Sequence, residues 1–338
     1  MDHIVENEVS LIRRDLSAFE SKVRGKTFLV TGGAGFLGSW FCDVLIALGS
    51  KTICVDNLRS GSETNIQHLM GTRNFKLLKK DACKITIDEK IDYIVNMASI
   101  ASPRFYQEHP IETLDVNIVG TRNMLECARK NEVEGFLTTS TSEIYGDAAV
   151  FPTPESYWGN VNSFGPRCMY DEGKRAAEAY CYSYIERYNL PIRIARIFNT
   201  YGPRLDVSLS SQYGRAISTF IRQALDNKPL TVHGTGSQTR SFCYVTDQIE
   251  GLFKLLLTPG LDGEIVNIGN DEETSIITLA RLITELTNTK SQIIFEPSQQ
   301  DDPKRRKPDI NKAKSLMKWL PKVNLEKGLK KTIAWMSK

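Results

Sequence analysis

Thr31-Gly32-Gly33-Ala34-Gly35-Phe36-Leu37-Gly38 is a glycine-rich turn set between two different hydrophobic patterns. Before it, residues 26–31 (Lys-Thr-Phe-Leu-Val-Thr) read as a buried strand running straight into the glycines. After it, Phe36, Leu37, Trp40, Phe41, Val44, Leu45 and Leu48 recur at helical spacing. Strand, glycine turn and helix form the first unit of a dinucleotide-binding fold, with the positive end of the helix dipole facing a pyrophosphate. Gly32 allows the tight turn, Gly35 lets the backbone approach the phosphates, and Gly38 lets the helix pack closely on the strand. The spacing is Gly-x-x-Gly-x-x-Gly rather than the Gly-x-Gly-x-x-Gly of ordinary dehydrogenases. A second strand, Thr52-Ile53-Cys54-Val55, ends at Asp56. An acid about 20 residues past the glycines accepts hydrogen bonds from an adenosine ribose. Its charge repels a 2′-phosphate, which favours NAD over NADP; nearby Arg59 weakens that preference slightly.

Outward from the turn, strand-like segments at 26–31, 51–55, 75–78, 92–97, 135–140 and 192–197 alternate with helical patterns at 36–48, 62–70, 110–130 and 171–188. This rhythm predicts an α/β protein with a Rossmann-type, doubly wound parallel sheet. After residue 200 the rhythm breaks: helices are expected near 213–226, 246–257 and 275–287, and short strands near 229–233 and 264–268. The reading is an NAD-binding domain over 25–200 and a smaller carboxy-terminal α/β substrate-binding region over 201–338, with an approximate boundary. Between them a cleft at the carboxyl ends of the strands takes a second ligand. Residues 1–24 form a helical arm, its apolar positions Val5, Val9, Ile12, Leu16, Phe19 and Val23 stepping by fours and threes.

Tyr170 and Lys174 stand four residues apart, on one face of a helix, where the ammonium can lower the phenol's pKa and ready it as a base. The net charge of +3 makes no case for a nucleic-acid surface. No apolar run reaches membrane-spanning length. The first residues, with Asp2, Glu6 and Glu8, do not read as a signal-peptide core. Seven cysteines are scattered singly and the four histidines have no metal spacing, so buried thiols in a cytoplasmic protein without a metal are expected.

Several stretches resemble the extended short-chain dehydrogenase/reductase family of nucleotide-sugar epimerases, dehydratases and decarboxylases. They are Thr141-Ser142-Glu143-Ile144-Tyr145-Gly146-Asp147, residues 157–162, Gly165 through Arg175, residues 196–204, Gly236 through Arg240, and Arg306-Lys307-Pro308-Asp309. The resemblance covers roughly residues 25–325. Thr-Ser-Glu at 141–143 and Tyr-Asp-Glu-Gly-Lys at 170–174 are most similar to the UDP-glucuronate decarboxylases. It implies NAD-dependent conversion of UDP-glucuronate to UDP-xylose through a 4-keto sugar, without net redox. A 4-epimerase or 4,6-dehydratase of the same family is the alternative.

By the same resemblance Tyr170 is the base and Lys174 holds the phenolate and the nicotinamide ribose. Thr141 bonds the reacting hydroxyl, Glu143 shapes the ring and shuttles a proton, and Arg306 addresses the glucuronate carboxylate. Phe36, Leu37, Asn57, Asp81, Ala82 and Ala98 join the glycines and Asp56 around the cofactor. Tyr106, Asn199, Arg215, Gln238 and Arg240 face the UDP-sugar, and helices near 110–130 and 171–188 pair two copies into a homodimer. Two positions depart from the decarboxylase pattern. Asp115 stands where a substrate-contacting lysine is usual, and Arg104 replaces a second proline.

Overall fold

The computed structural model describes residues 1–205, 216–298 and 302–338. The amino-terminal helix α1 (His3–Asp15) is capped by Asp2, whose Oδ1 accepts the Ile4 N–H at 2.9 Å. Helix α2 (Phe36–Ala47) follows the glycine turn. The central sheet has seven strands: β1 (Thr27–Thr31), β2 (Lys51–Val55), β3 (Phe75–Leu78), β4 (Tyr93–Asn96), β5 (Gly135–Thr141), β6 (Ile192–Ile197) and β7 (Ile265–Ile268). All pairings in it are parallel, in the order β7-β6-β5-β4-β1-β2-β3. The strand order reverses between β1 and β4, which opens a crevice at the carboxyl ends of those strands.

Both faces of this sheet are covered, so its inner strands are buried along most of their length; every residue of β5 is buried. Alternation still sorts the side chains. Phe28 and Val30 of β1 join the core containing Trp40, Phe41 and Phe253, while Leu29 joins that of Ile53, Ile94, Phe136 and Ile192 on the other face. Against the first face lie α2 and α7 (Val245–Leu257), where Phe41 stacks on Phe253 with centroids 3.9 Å apart. The helix expected over 5–23 is α1 with short turns after it, and Val5, Val9, Ile12, Leu16 and Val23 are all buried. It lies on α2 and α7, and Lys22 Nζ just beyond it donates to the Leu257 carbonyl at 2.9 Å.

Three local readings differ. Residues 62–70 form two 3₁₀ turns, Glu63–Asn65 and Gln67–Leu69, rather than one helix. The Ser62 N–H and Asn65 Nδ2 both donate to the Ala34 carbonyl at 3.0 Å, so the segment is tied to the glycine turn before an α-helix can propagate. The helix expected over 110–130 is divided into α3 (Pro110–Asp115), a π turn (Val116–Gly120) and α4 (Thr121–Asn131). Asn117 within the π turn bonds back to the Thr113 carbonyl at 2.9 Å and packs against Gly173 of α5 (Cys168–Tyr188). The strand near 264–268 leaves the carboxy-terminal region to pair with β6 as an edge of the main sheet. Of the helix expected near 213–226, the described part is α6 (Ala216–Leu225).

The remaining carboxy-terminal strands sit above the crevice. Thr239–Ser241 pairs with Glu273–Ser275 on one side and with Arg305–Arg306 on the other, in a register that sets Arg306 beside Arg240. Among the described residues, no helix is long and apolar enough to cross a membrane. Replacing the wholly buried Leu16 by Ala is expected to cost about 2–4 kcal/mol in urea denaturation. A loss below about 0.5 kcal/mol, the size usual for surface substitutions, would show that the α1 face is not part of the core.

Candidate active site

The glycine turn is as tight as its residues require. Gly32 has φ +69°, and a Cβ there would lie 2.9 Å from the backbone of Ala98 at the end of the neighbouring strand segment. At Gly38 a Cβ would lie 2.1 Å from the Gly32 carbonyl oxygen, so only glycine lets α2 start this close to β1. Asp56 is buried at the end of β2 and supports the turn: its Oδ2 accepts the Ala34 N–H at 2.9 Å and its Oδ1 the Leu58 N–H at 2.8 Å. Burial raises its pKa and these two donors oppose the rise. Each oxygen keeps a lone pair for a ribose hydroxyl. Arg59 pairs with Glu112 at 2.9 Å.

A single cleft of about 1060 Å³ begins here and runs to the carboxy-terminal strands. Phe36, Leu37, Asn57, Asp81, Ala82 and Ala98, the positions that the resemblance assigns to the cofactor, line the cleft with the glycines. The Asp81 and Asn57 carboxyl and amide oxygens accept the Cys83 and Arg59 N–H groups at 2.9 and 3.0 Å, which holds both side chains in place. A cradle that admits no Cβ, a helix amino terminus with no side-chain cap and a buried acid at the end of β2 together fit an NAD molecule.

Tyr170 and Lys174, one turn apart on α5, reach the middle of the cleft. The Tyr170 ring stacks on that of Tyr106, centroids 5.3 Å apart and planes 9° from parallel. Lys174 is buried and its Nζ donates to the Thr139 carbonyl at 2.7 Å. Burial lowers its pKa to about 8, opposed by the charge of Glu178 one turn further along α5. Thr141 ends β5, its Oγ1 accepting the Glu143 N–H at 3.2 Å, which leaves its hydroxyl proton available to a ligand.

Glu143 is held by two guanidinium groups. Arg306 donates to it through Nη2 at 2.7 Å and Nε at 3.3 Å, and Arg167 donates to the same Oε2. Burial pushes the Glu143 carboxyl up, but Arg306 and Arg167 overcome it and hold the group at about 2. Arg306 is only 3% exposed and also donates to the Gly146 carbonyl, so the basic run Lys304–Lys307 is not simply a solvated patch. Arg167 is the residue that sequence reasoning quoted without assigning. Its signal is its spacing: it stands at the cap of α5, three residues before Tyr170 and four before Asp171.

Tyr106, Asn199, Gln238 and Arg240 also line the cleft. The Asn199 Nδ2 is buried without a hydrogen-bond partner, and the Asn199 backbone is left-handed at φ +27°. Gln238 donates to the His233 carbonyl at 2.9 Å, and Arg240 is tied to Asp302 at 2.9 Å. Arg215 lies outside the described residues. Asp115 lines the cleft beside Cys83, whose thiol is pushed up to about 12 by burial and by Asp81 and Asp115. Arg104 pairs with Glu108 at 2.8 Å and is not among the described residues lining the cleft. No cluster of His, Cys, Asp or Glu among the described residues could hold a metal ion.

Residues 28–269 match the family described as NAD dependent epimerase/dehydratase. A Danio rerio protein, UDP-glucuronic acid decarboxylase 1, is 46% identical over 320 residues, covering 95% of this chain and 75% of its own. UDP-glucuronic acid decarboxylase 2 of Arabidopsis thaliana is 45% identical over 311 residues, covering 91% of this chain and 67% of its own. Among solved structures, UDP-glucuronic acid 4-epimerase from Bacillus cereus, in complex with UDP-glucuronic acid and NAD, superimposes with a TM-score of 0.81 at 29% identity, covering 92% of this chain and 98% of that one.

A carboxylate held at about 2 contributes stability that is fully present above its ordinary value of 4.5 and is lost as pH falls towards 2. Between about pH 5 and about pH 3 the parent protein should therefore lose more stability than Glu143→Gln, whatever the offset between them. Urea midpoints that fall in parallel would remove Glu143 from that accounting.

Proposed function

We propose that this chain, which belongs to the NAD dependent epimerase/dehydratase family, removes CO₂ from UDP-glucuronate to give UDP-xylose. What carries the reading is its 45–46% identity, over nine-tenths of the chain, with UDP-glucuronic acid decarboxylases. In support, one cleft holds Tyr170, Lys174, Thr141, Glu143 and Arg306. The relative that binds the same sugar as a 4-epimerase has the same fold, so the fold alone does not choose between the two chemistries.

Gly32, Gly35, Gly38 and the start of α2 hold the pyrophosphate of NAD, and Asp56, Asn57, Asp81 and Ala82 its adenosine end. Tyr170 and Lys174 meet the nicotinamide half, beside Ala98. Bound there, NAD supplies a hydride acceptor for C4 of the sugar and, later in the same turnover, a hydride donor. Asn199, Gln238 and Arg240 line the same cleft, which supports assigning the UDP portion to them. Arg215 is proposed for the same half from the resemblance.

Tyr170 takes the proton of the 4-hydroxyl while Thr141 orients it, and the Lys174 ammonium stabilises the phenolate. Oxidised at C4, the sugar is a β-keto acid. The bond from C5 to the carboxylate then breaks, CO₂ departs, and its bonding electrons enter the ketone as an enolate. A proton joins C5, C4 is reduced, and Tyr170 returns its proton to O4. The sum is one proton consumed and one CO₂ released, with no net redox. Arg306, with its forked donors, is the group suited to the planar glucuronate carboxylate. At about 2, Glu143 is an acceptor that positions the ring, and the proton-shuttling role expected of it would require one of its arginines to let go.

Two further points belong to this reading. Exposed Ile111, Val119, Tyr182 and Tyr188 lie on α3, the π turn and α5, which supports pairing of two copies through these helices. All seven cysteines are free, which fits a reducing, cytoplasmic setting.

Incubated with UDP-glucuronate and NAD⁺, the purified protein should convert the substrate to a UDP-pentose, read by mass spectrometry. Unchanged mass with inverted C4 would mean an epimerase, and loss of water a dehydratase. Tyr170→Phe should lower kcat by roughly 10²–10⁴-fold while NAD⁺ still quenches the intrinsic fluorescence. Turnover within about twofold of the parent, well short of that range, would remove Tyr170 as the base.

A further inference from the structure

Behind Glu143 stands a second buried carboxyl that the mechanism does not use. Asp171 follows Tyr170 on α5 and is 6% exposed. Its Oδ1 has no hydrogen-bond partner, and its Oδ2 lies 3.9 Å from Arg167 Nε. Arg167 thus stands between two acids, donating from Nη2 to Glu143 and offering its other edge to Asp171. An ionised carboxylate buried without hydrogen bonds is costly, whereas a protonated one is not.

We propose that Asp171 is a positioning residue for the active site: as a neutral acid it leaves Arg167 wholly to Glu143, and on losing its proton it competes for that guanidinium. This deepens the decarboxylase reading and rests on it for the role of Glu143. The charged and titratable groups facing Asp171 bear out the assignment of its proton. From its own helix and that helix's cap come Glu172 and Arg167, from the turn after β5 Glu143, from the strand Arg305–Arg306 Arg306, and from the helix Pro103–Glu108 Tyr106. Burial raises the Asp171 carboxyl and Glu143 raises it further, against Arg167 and Arg306, to about 7. Glu143 goes the other way because it takes both arginines. Two acids driven apart in this manner divide their tasks, one ionised and one carrying the proton.

The consequence is an alkaline limb in activity. As pH rises through about 7 Asp171 ionises, Arg167 is shared, and the grip on Glu143 loosens. Asp171→Asn keeps the shape and cannot ionise. Its kcat profile should lose that limb and fall only where Lys174 discharges, at about 8. An alkaline limb at the same position in both proteins would overturn the proposal.

A second readout needs no turnover. The folded protein keeps a proton on Asp171 that the unfolded chain has lost above 3.8, so the parent's stability falls as pH rises from there towards 7. The melting temperature of Asp171→Asn relative to the parent should therefore climb between about pH 5 and about pH 8. A difference independent of pH would sink the idea even if the enzyme proved to act on another sugar. Should the variant not fold, aspartate-¹³C-labelled parent protein carries the test. A carboxyl resonance titrating near 7 that persists in Asp247→Asn, which removes the other carboxyl that burial pushes up to about 6, supports the proposal, and the absence of any such resonance in that variant overturns it.

Discussion

The constraint on which the cleft depends is a contact between two stretches of bare backbone. Gly38 on α2 meets the carbonyl of Gly32 where no side-chain atom could stand, since a Cβ would come within 2.1 Å of that oxygen. This contact draws the first helix down onto β1 and leaves its amino terminus open towards the crevice. From it follow the seat of Asp56, whose carboxylate braces the same turn, and the attachment of residues 62–70 to the Ala34 carbonyl. The cleft owes its near wall to a pair of glycines.

The far wall is electrostatic. Glu143, Arg306, Arg167 and Asp171 come from a turn, a two-residue strand and one helix, and none of them makes sense alone. Two guanidinium groups in a buried space demand a carboxylate, and Glu143 answers both. That leaves the fourth group with the proton. Lys174, by contrast, faces a backbone carbonyl and the distant Glu178, and so sits low for a lysine, near the range where a phenol's partner can respond to pH.

How far the sequence could be read depended on how local each feature was. The turn, β1 and the face of α1 rest on neighbours within a few residues, and periodicity located them. The π turn at Val116–Gly120 depends on Gly173, from another helix, making room for Asn117, and no pattern along 110–130 carries that information. Likewise β7 looks like any short strand until it pairs with β6. Arg306 was found through its motif, but its place beside Arg240 comes from strand pairing across more than sixty intervening residues. Arg167 had a helical-spacing signal. Asp171 had none, because an acid in the first turn of a helix is ordinary, and only Glu143 and Arg306 make this one unusual.

The arm that opens the chain has a consequence for synthesis. Its apolar side chains rest on α2 and α7, and Lys22 reaches the carbonyl of Leu257 at the end of α7. About 240 residues separate α1 from that partner, which at roughly 5–20 residues per second is a wait of roughly 12–48 s on the ribosome. During that interval Val5, Val9, Ile12 and Leu16 have no finished surface to cover them. The apolar face of α1 is thus made well before the α7 surface that buries it, and a nascent chain carries that face uncovered through the interval.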